Sequence, residues 1–89
     1  MGQVRTECYE EMSDCLKAFS SQLYELASEL DSTVKDAADN LDDDHTKEVS
    51  GEVSGYCKEY LKVAKAAVEL AKQLDDEKEA YVKAYTLHR

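Results

Sequence analysis

The sequence contains no proline and no tryptophan, and its glycines are confined to Gly2, Gly51 and Gly55. Proline and glycine punctuate loops, so a chain almost without them has few places to turn. Nowhere does it approach the ~18–20 consecutive apolar residues that cross a bilayer as a helix, which argues against membrane insertion. Met1 to Leu16 interleaves Arg5, Glu7, Glu10, Glu11 and Asp14, which reads against a cleavable signal peptide. Basic residues are scarce as well: 11 Lys and Arg stand against 20 Asp and Glu, for a formal charge of −9. That balance argues against nucleic acid or an anionic membrane as a partner.

What remains is a helical vocabulary. Ala, Leu, Glu, Lys and Gln are good helix formers, and an apolar content of 43 % is too high for a disordered acidic tail. In the first half Val4, Cys8, Met12, Leu16, Phe19, Leu23, Leu26, Leu30, Val34, Ala37 and Leu41 follow at steps of three or four. Val49, Val53, Cys57, Tyr60, Ala64, Ala67, Ala71, Leu74, Tyr81 and Tyr85 do the same in the second half, with Lys78 breaking the row. Such spacing keeps one side of a helix apolar, and strand alternation fails within a few residues. The expected fold class is all-α: an antiparallel two-helix hairpin in one domain, residues 1–89. Helix one is expected at about 4–41, a turn at about 42–46 around Asp42-Asp43-Asp44-His45-Thr46, and helix two at about 47–86. A rival turn between Ser50 and Gly55 stays open, and neither place shows a clean capping box. Facing residues of such a hairpin bring Leu23 near Ala64, Phe19 near Val68 and Cys57 near Asp31.

Charge divides unevenly along the chain. Residues 1–44 hold three bases and 12 acids, a net of −9, while residues 45–89 hold eight of each and balance. Helix one is an acidic rod, which serves solubility and can also dock a basic partner.

At 89 residues a lone core is marginal, so a partner chain, metal or disulfides are the usual helpers. Cys8 and Cys15 lie about 10 Å apart along one helix and Cys57 lies far from both, so no intrachain disulfide is expected. Cys8 and Cys57 read as small buried hydrophobes. There is no CxxC or Cys/His zinc spacing. After Asp42-Asp43-Asp44 neither the mid-loop glycine nor the closing Glu of a calcium loop follows in register. His45 and His88 fall at opposite ends of the rod, away from any nucleophile, and no Gly-rich phosphate loop is present. No cofactor or metal and no enzyme activity are expected.

A partner is. Around helix two, Tyr60, Leu61, Val63, Ala64, Ala67, Val68, Leu70, Ala71 and Leu74 cover more of the circumference than one antiparallel neighbour can bury. The excess predicts dimerisation, as a homo- or heterodimer with another small helical protein, into a four-helix bundle. Tyr60, Leu61, Val68, Val82 and Tyr85 are the expected interface. Six tyrosines fit such a place, with rings buried and hydroxyls wet.

The pattern resembles a known family. The opening Val-Arg-Thr-Glu-Cys-Tyr-Glu-Glu-Met, the long periodic first helix, the mid-chain turn and the run from Tyr60 to Leu74 followed by Glu79-Ala-Tyr-Val-Lys-Ala-Tyr85 are similar to the small WxG-type (Esx-like) hairpin proteins of bacterial type VII secretion. They are similar also to the small partners of LXG toxins. The resemblance covers essentially the whole chain. It implies a non-enzymatic secretion substrate or targeting partner, cytoplasmic or exported without a signal peptide, with an LXG-type toxin as one partner. Asp44-His45-Thr46 stands where the family carries Trp-x-Gly, and Tyr85 stands where an export signal would place an acid after Tyr81. Family members that lack one motif travel with a partner that carries it. The other reading of the composition is an acidic cytoplasmic immunity or inhibitor protein that masks a basic toxin.

Overall fold

The computed structural model describes residues 2–87, with side chains from 6 to 86. The helices are α1, Gly2–Leu41, and α2, Asp44–Leu87. No strand occurs among the described residues. The two helices lie antiparallel along each other as a hairpin, because Ser13 meets Ala71, Ser20 meets Ala64 and Asp31 meets Ser54. The rod measures 70 × 14 × 13 Å across its Cα atoms.

The joint is two residues, Asp42 and Asp43, and each has a separate task. Asp42 takes φ 48°, the left-handed region that Asp tolerates better than most side chains. Its N–H donates to the Ala38 carbonyl at 2.9 Å, closing the end of α1. Asp43 caps α2: one carboxylate oxygen accepts the Thr46 N–H at 2.8 Å, and the other accepts the Thr46 hydroxyl at 2.7 Å. These bonds, the backbone one foremost, hold the Asp43 carboxyl below the ordinary aspartate range. With Asp43 as cap, α2 starts at Asp44, three residues ahead of the expected 47, and the connection shrinks from five residues to two. The rival turn does not form. Ser50 to Gly55 is continuous helix, in which Gly51 and Gly55 face open space.

The seam between the helices is made of small side chains. Ser13, Ser20, Ala27 and Ala38 of α1 are buried, as are Cys57, Ala64, Ala67 and Ala71 of α2. Ser13, Ser20 and Ala27 recur every seven residues, and so do Cys57, Ala64 and Ala71. That repeat gives each helix a narrow flat stripe on which a second backbone can lie close. Two hydroxyls then reach the opposing backbone: Ser20 Oγ donates to the Ala64 carbonyl at 2.7 Å, and Ser13 Oγ to that of Ala71 at 3.4 Å. Neither leaves a buried hydroxyl orphaned, which would otherwise be costly.

This arrangement corrects the expected packing. Ala64 meets the Ser20 hydroxyl, while Leu23 stands beside the seam, half-buried. Phe19 and Val68, expected to pack together, remain 48 % and 47 % exposed. At 100° per residue they fall on opposite sides of the hairpin. The row of large residues on α1 lies one position off the buried one, because close helix approach leaves room in the middle for Ser and Ala and not for Leu or Phe. Cys8 is likewise exposed, not buried, whereas Cys57 is buried as expected.

Candidate interaction face

Helical phase sorts everything outside the seam onto two broad faces. On α1, Met12, Leu16, Phe19, Leu23, Leu26 and Leu30 form one continuous stripe at alternating steps of four and three. On α2, Tyr56, Tyr60, Val63, Leu70 and Leu74 form another, with Ala67 completing the step between Val63 and Leu70. Because the helices run in opposite directions, these stripes fall on the same side of the hairpin. Together they make one apolar ribbon flanking the seam. Met12, Phe19, Leu26, Leu30, Tyr56, Tyr60, Val63 and Leu70 are all exposed, Leu26 by 64 %. Between positions 12 and 30 of α1 and 53 and 74 of α2, the stripes themselves carry no charge; Glu77 ends the uncharged run on α2.

The opposite face is where the charges bind one another. Lys17 Nζ lies 3.0 Å from an Asp75 oxygen, and Lys78 pairs with Glu10, so both ion pairs tie α1 to α2. Further along, Ser54 Oγ donates to Asp31 at 2.6 Å, and Lys35 Nζ donates to its second oxygen at 2.9 Å. The Ser54 bond, then Lys35, hold the Asp31 carboxyl below its ordinary range. Asp75 is lowered too, first by the Ser13 hydroxyl and then by Lys17. A shallow open groove of about 380 Å³ runs past Asp31, Lys35, Ser54 and Cys57 on this face. Among the described residues no three His, Cys, Asp or Glu side chains gather as a metal site, and no helix is long and apolar enough to cross a membrane.

The five residues expected at an interface are divided between these faces. Tyr60 belongs to the apolar side, while Tyr85 continues the seam's seven-residue column past Lys78 and is exposed, and Tyr81 is half-buried. Leu61, Val68 and Val82 belong to the charged side, where Leu61 is partly covered and Val68 and Val82 stay exposed among lysines and acids. Met12, Phe19, Leu26 and Leu30 on α1 and Tyr56 on α2 were not expected at an interface, whereas Val63 and Leu70 belong to the excess apolar circumference already read on helix two. The signal for them was in the chain: a small residue at every seventh place marks the seam, and the large residues beside it are then left for something else.

No protein-family model, curated protein or solved structure matches this chain. Its functional reading rests on the face itself.

Proposed function

We propose that the hairpin is a non-enzymatic pairing module whose apolar ribbon packs on another helical hairpin to complete a four-helix bundle. Its biological setting, on the resemblance of its sequence, is bacterial type VII secretion, as a WxG-like substrate or a targeting partner of an LXG toxin. The observation that carries the pairing role is the ribbon of Met12, Phe19, Leu26, Leu30, Tyr60, Val63 and Leu70. Each of these is about half-exposed, so covering it recovers roughly 1 kcal/mol per side chain. The seam cannot supply that stability, because its buried residues are Ala, Ser and Cys. Patches of this length mark interaction sites. Sedimentation of the wild type beside Phe19→Asp tests it: association lost in the variant supports pairing through this face, and a wild-type monomer indifferent to the substitution defeats it.

The acidic character of α1 favours a second reading, an immunity or inhibitor protein that docks a basic toxin. Glu7, Glu11, Asp14, Glu25, Glu29 and Asp36 are all exposed. Binding of that kind weakens steeply with salt, whereas pairing through the apolar ribbon does not.

A further inference from the structure

Sulfur is scarce in this chain and clustered where it occurs. The sequence holds two methionines and three cysteines, and Cys8, Met12 and Cys15 fall close together on α1. At about 100° per residue they share an arc of about 60° on one side of the helix. All three are exposed, Met12 by 55 %, whereas Cys57 lies buried in the seam. Met12 follows Cys8 by four positions and precedes Cys15 by three. Those two spacings set side chains of one helix next to each other, with Cβ atoms about 5–6 Å apart. We propose that Cys8, Met12 and Cys15 form a binding site for one Cu(I) ion, held between the Met12 thioether and either of the two thiolates.

The donors decide the ion. Among the described residues no three His, Cys, Asp or Glu side chains gather, and the middle donor here is a thioether. Thiolate and thioether are soft ligands that select Cu(I) over the hard cations taken by carboxylates. Metal–sulfur bonds of about 2.3 Å set the two sulfurs of a linear ion roughly 4.6 Å apart, within reach of side chains one turn apart. Cys8 and Cys15 cannot share an ion by themselves, because about 10 Å of helix axis separates two short side chains. Met12 is unbranched and flexible, so its sulfur can swing toward either thiol. The surroundings favour a cation as well. Glu7, Glu11 and Asp14 are exposed on the same stretch. The nearby ammonium groups are engaged, Lys17 with Asp75 and Lys78 with Glu10. The field at this end of the rod is therefore negative. Binding is a proton exchange: the thiol releases its proton to solvent, the thiolate and the thioether each give copper a lone pair, and no electron is transferred. Copper therefore has to arrive as Cu(I). None of this rests on the pairing reading.

Titration of the reduced full-length protein with Cu(I), without oxygen and against a chromogenic Cu(I) chelator, tests the site. The wild type should withdraw one equivalent of Cu(I) and release one proton for it. Met12→Leu keeps the side chain large and apolar but removes the sulfur, and should weaken binding at least about tenfold. Cys8→Ser or Cys15→Ser alone should weaken it only about twofold, since one of two pairs remains. The double variant Cys8→Ser with Cys15→Ser should abolish it, and Cys57→Ser should change nothing. Circular dichroism checks that each variant keeps its helices. Repeating the titration with Phe19→Asp leaves Met12 uncovered whatever the ribbon does, so a failure there is a failure of this site alone. Undiminished binding by Met12→Leu, or two protons released per ion, means that the thiols act without the thioether and overturns the site. So does the absence of Cu(I) withdrawal by both wild type and Phe19→Asp, or displacement of the bound copper by an equal concentration of Zn(II).

Discussion

The two faces of this hairpin are built from the same helices, yet they solve opposite problems. On the charged face polar side chains near the seam pair within the chain, Lys17 with Asp75, Lys78 with Glu10, and Asp31 with Ser54 and Lys35, although Tyr24, Val68 and Val82 on that side stay exposed. On the apolar face Met12, Phe19, Leu26, Tyr60 and Leu70 find no more than partial cover. Solvated ion pairs contribute little net stability, so the satisfied face holds register more than it holds the fold together. Covering the unsatisfied face would recover roughly 1 kcal/mol for each half-exposed side chain. Polar contacts thereby align the helices on one side, while the other side leaves its apolar ribbon exposed.

The largest effect should come from charging the apolar face. Phe19→Asp together with Leu70→Asp should abolish self-association and remove the dependence of the melting temperature on concentration, by sedimentation and calorimetry. Two desolvated charges in such an interface cost several kcal/mol, roughly 2–5 each, of association free energy. Val68→Asp, equally exposed but on the charged face, should leave association intact; if it dissociates the protein as well, the division into two faces is wrong.

Next comes the seam that separates them. Ala64→Leu inserts a large side chain where Ser20 Oγ approaches the Ala64 carbonyl, and should destabilise the hairpin by roughly 1–3 kcal/mol through overpacking. Chemical denaturation reads this directly, and a stabilised variant would mean the helices are not closely apposed.

Acid sharpens the comparison from the other side. Asp31, Asp43 and Asp75 all titrate below the ordinary aspartate value because of hydrogen bonds and lysines. A carboxylate lowered in the fold contributes stability that is complete above its unfolded value, about 3.9, and is lost as pH falls through the folded one. Stability measured by denaturation should therefore hold from neutral pH to about 4.5 and fall below about 4. Asp75→Asn should flatten part of that fall, leaving the neutral-pH association unchanged.

The smallest effect lies inside α2. Gly55 is helical and faces open space, so Gly55→Ala should stabilise by about 0.5–1 kcal/mol through a less flexible unfolded chain. The thermal midpoint should rise by a few degrees without altering partner choice.

The two helices and their antiparallel course were legible because steps of three and four persist through both halves of the chain. The joint was legible only in outline. Asp43 accepts from Thr46 in a cap that needs no Glu or Gln, so a search for the usual box passes over it. On α2 the apolar row already held Cys57, Ala64, Ala67 and Ala71, all buried, but on α1 the seam was not legible from hydrophobicity, which ranks Leu and Phe as interior. Burial here follows the closeness of two backbones, and Ser13, Ser20, Ala27 and Ala64 fit where Phe19 does not. The face was half legible for the same reason: Tyr60 was marked and lies on it, while Val68 was marked and lies behind it.

A seam of Ser and Ala has a mechanical consequence. Interlocking leucines act as cogs, but a stripe of methyl-sized groups repeating every seven residues is closer to a rail. Displacing one helix by seven residues would set Ser13 opposite Ala64 and Ser20 opposite Cys57, small against small once more. Little in the seam's shape forbids that glide. Two things oppose it: the inter-helix ion pairs of the charged face, and the joint, where Asp42 and Asp43, tied to Ala38 and Thr46, leave no slack for either helix to travel. Two aspartates thus fix the alignment of contacts nearly the whole length of the rod away, and an insertion of a few flexible residues at that point would release shear along all of it.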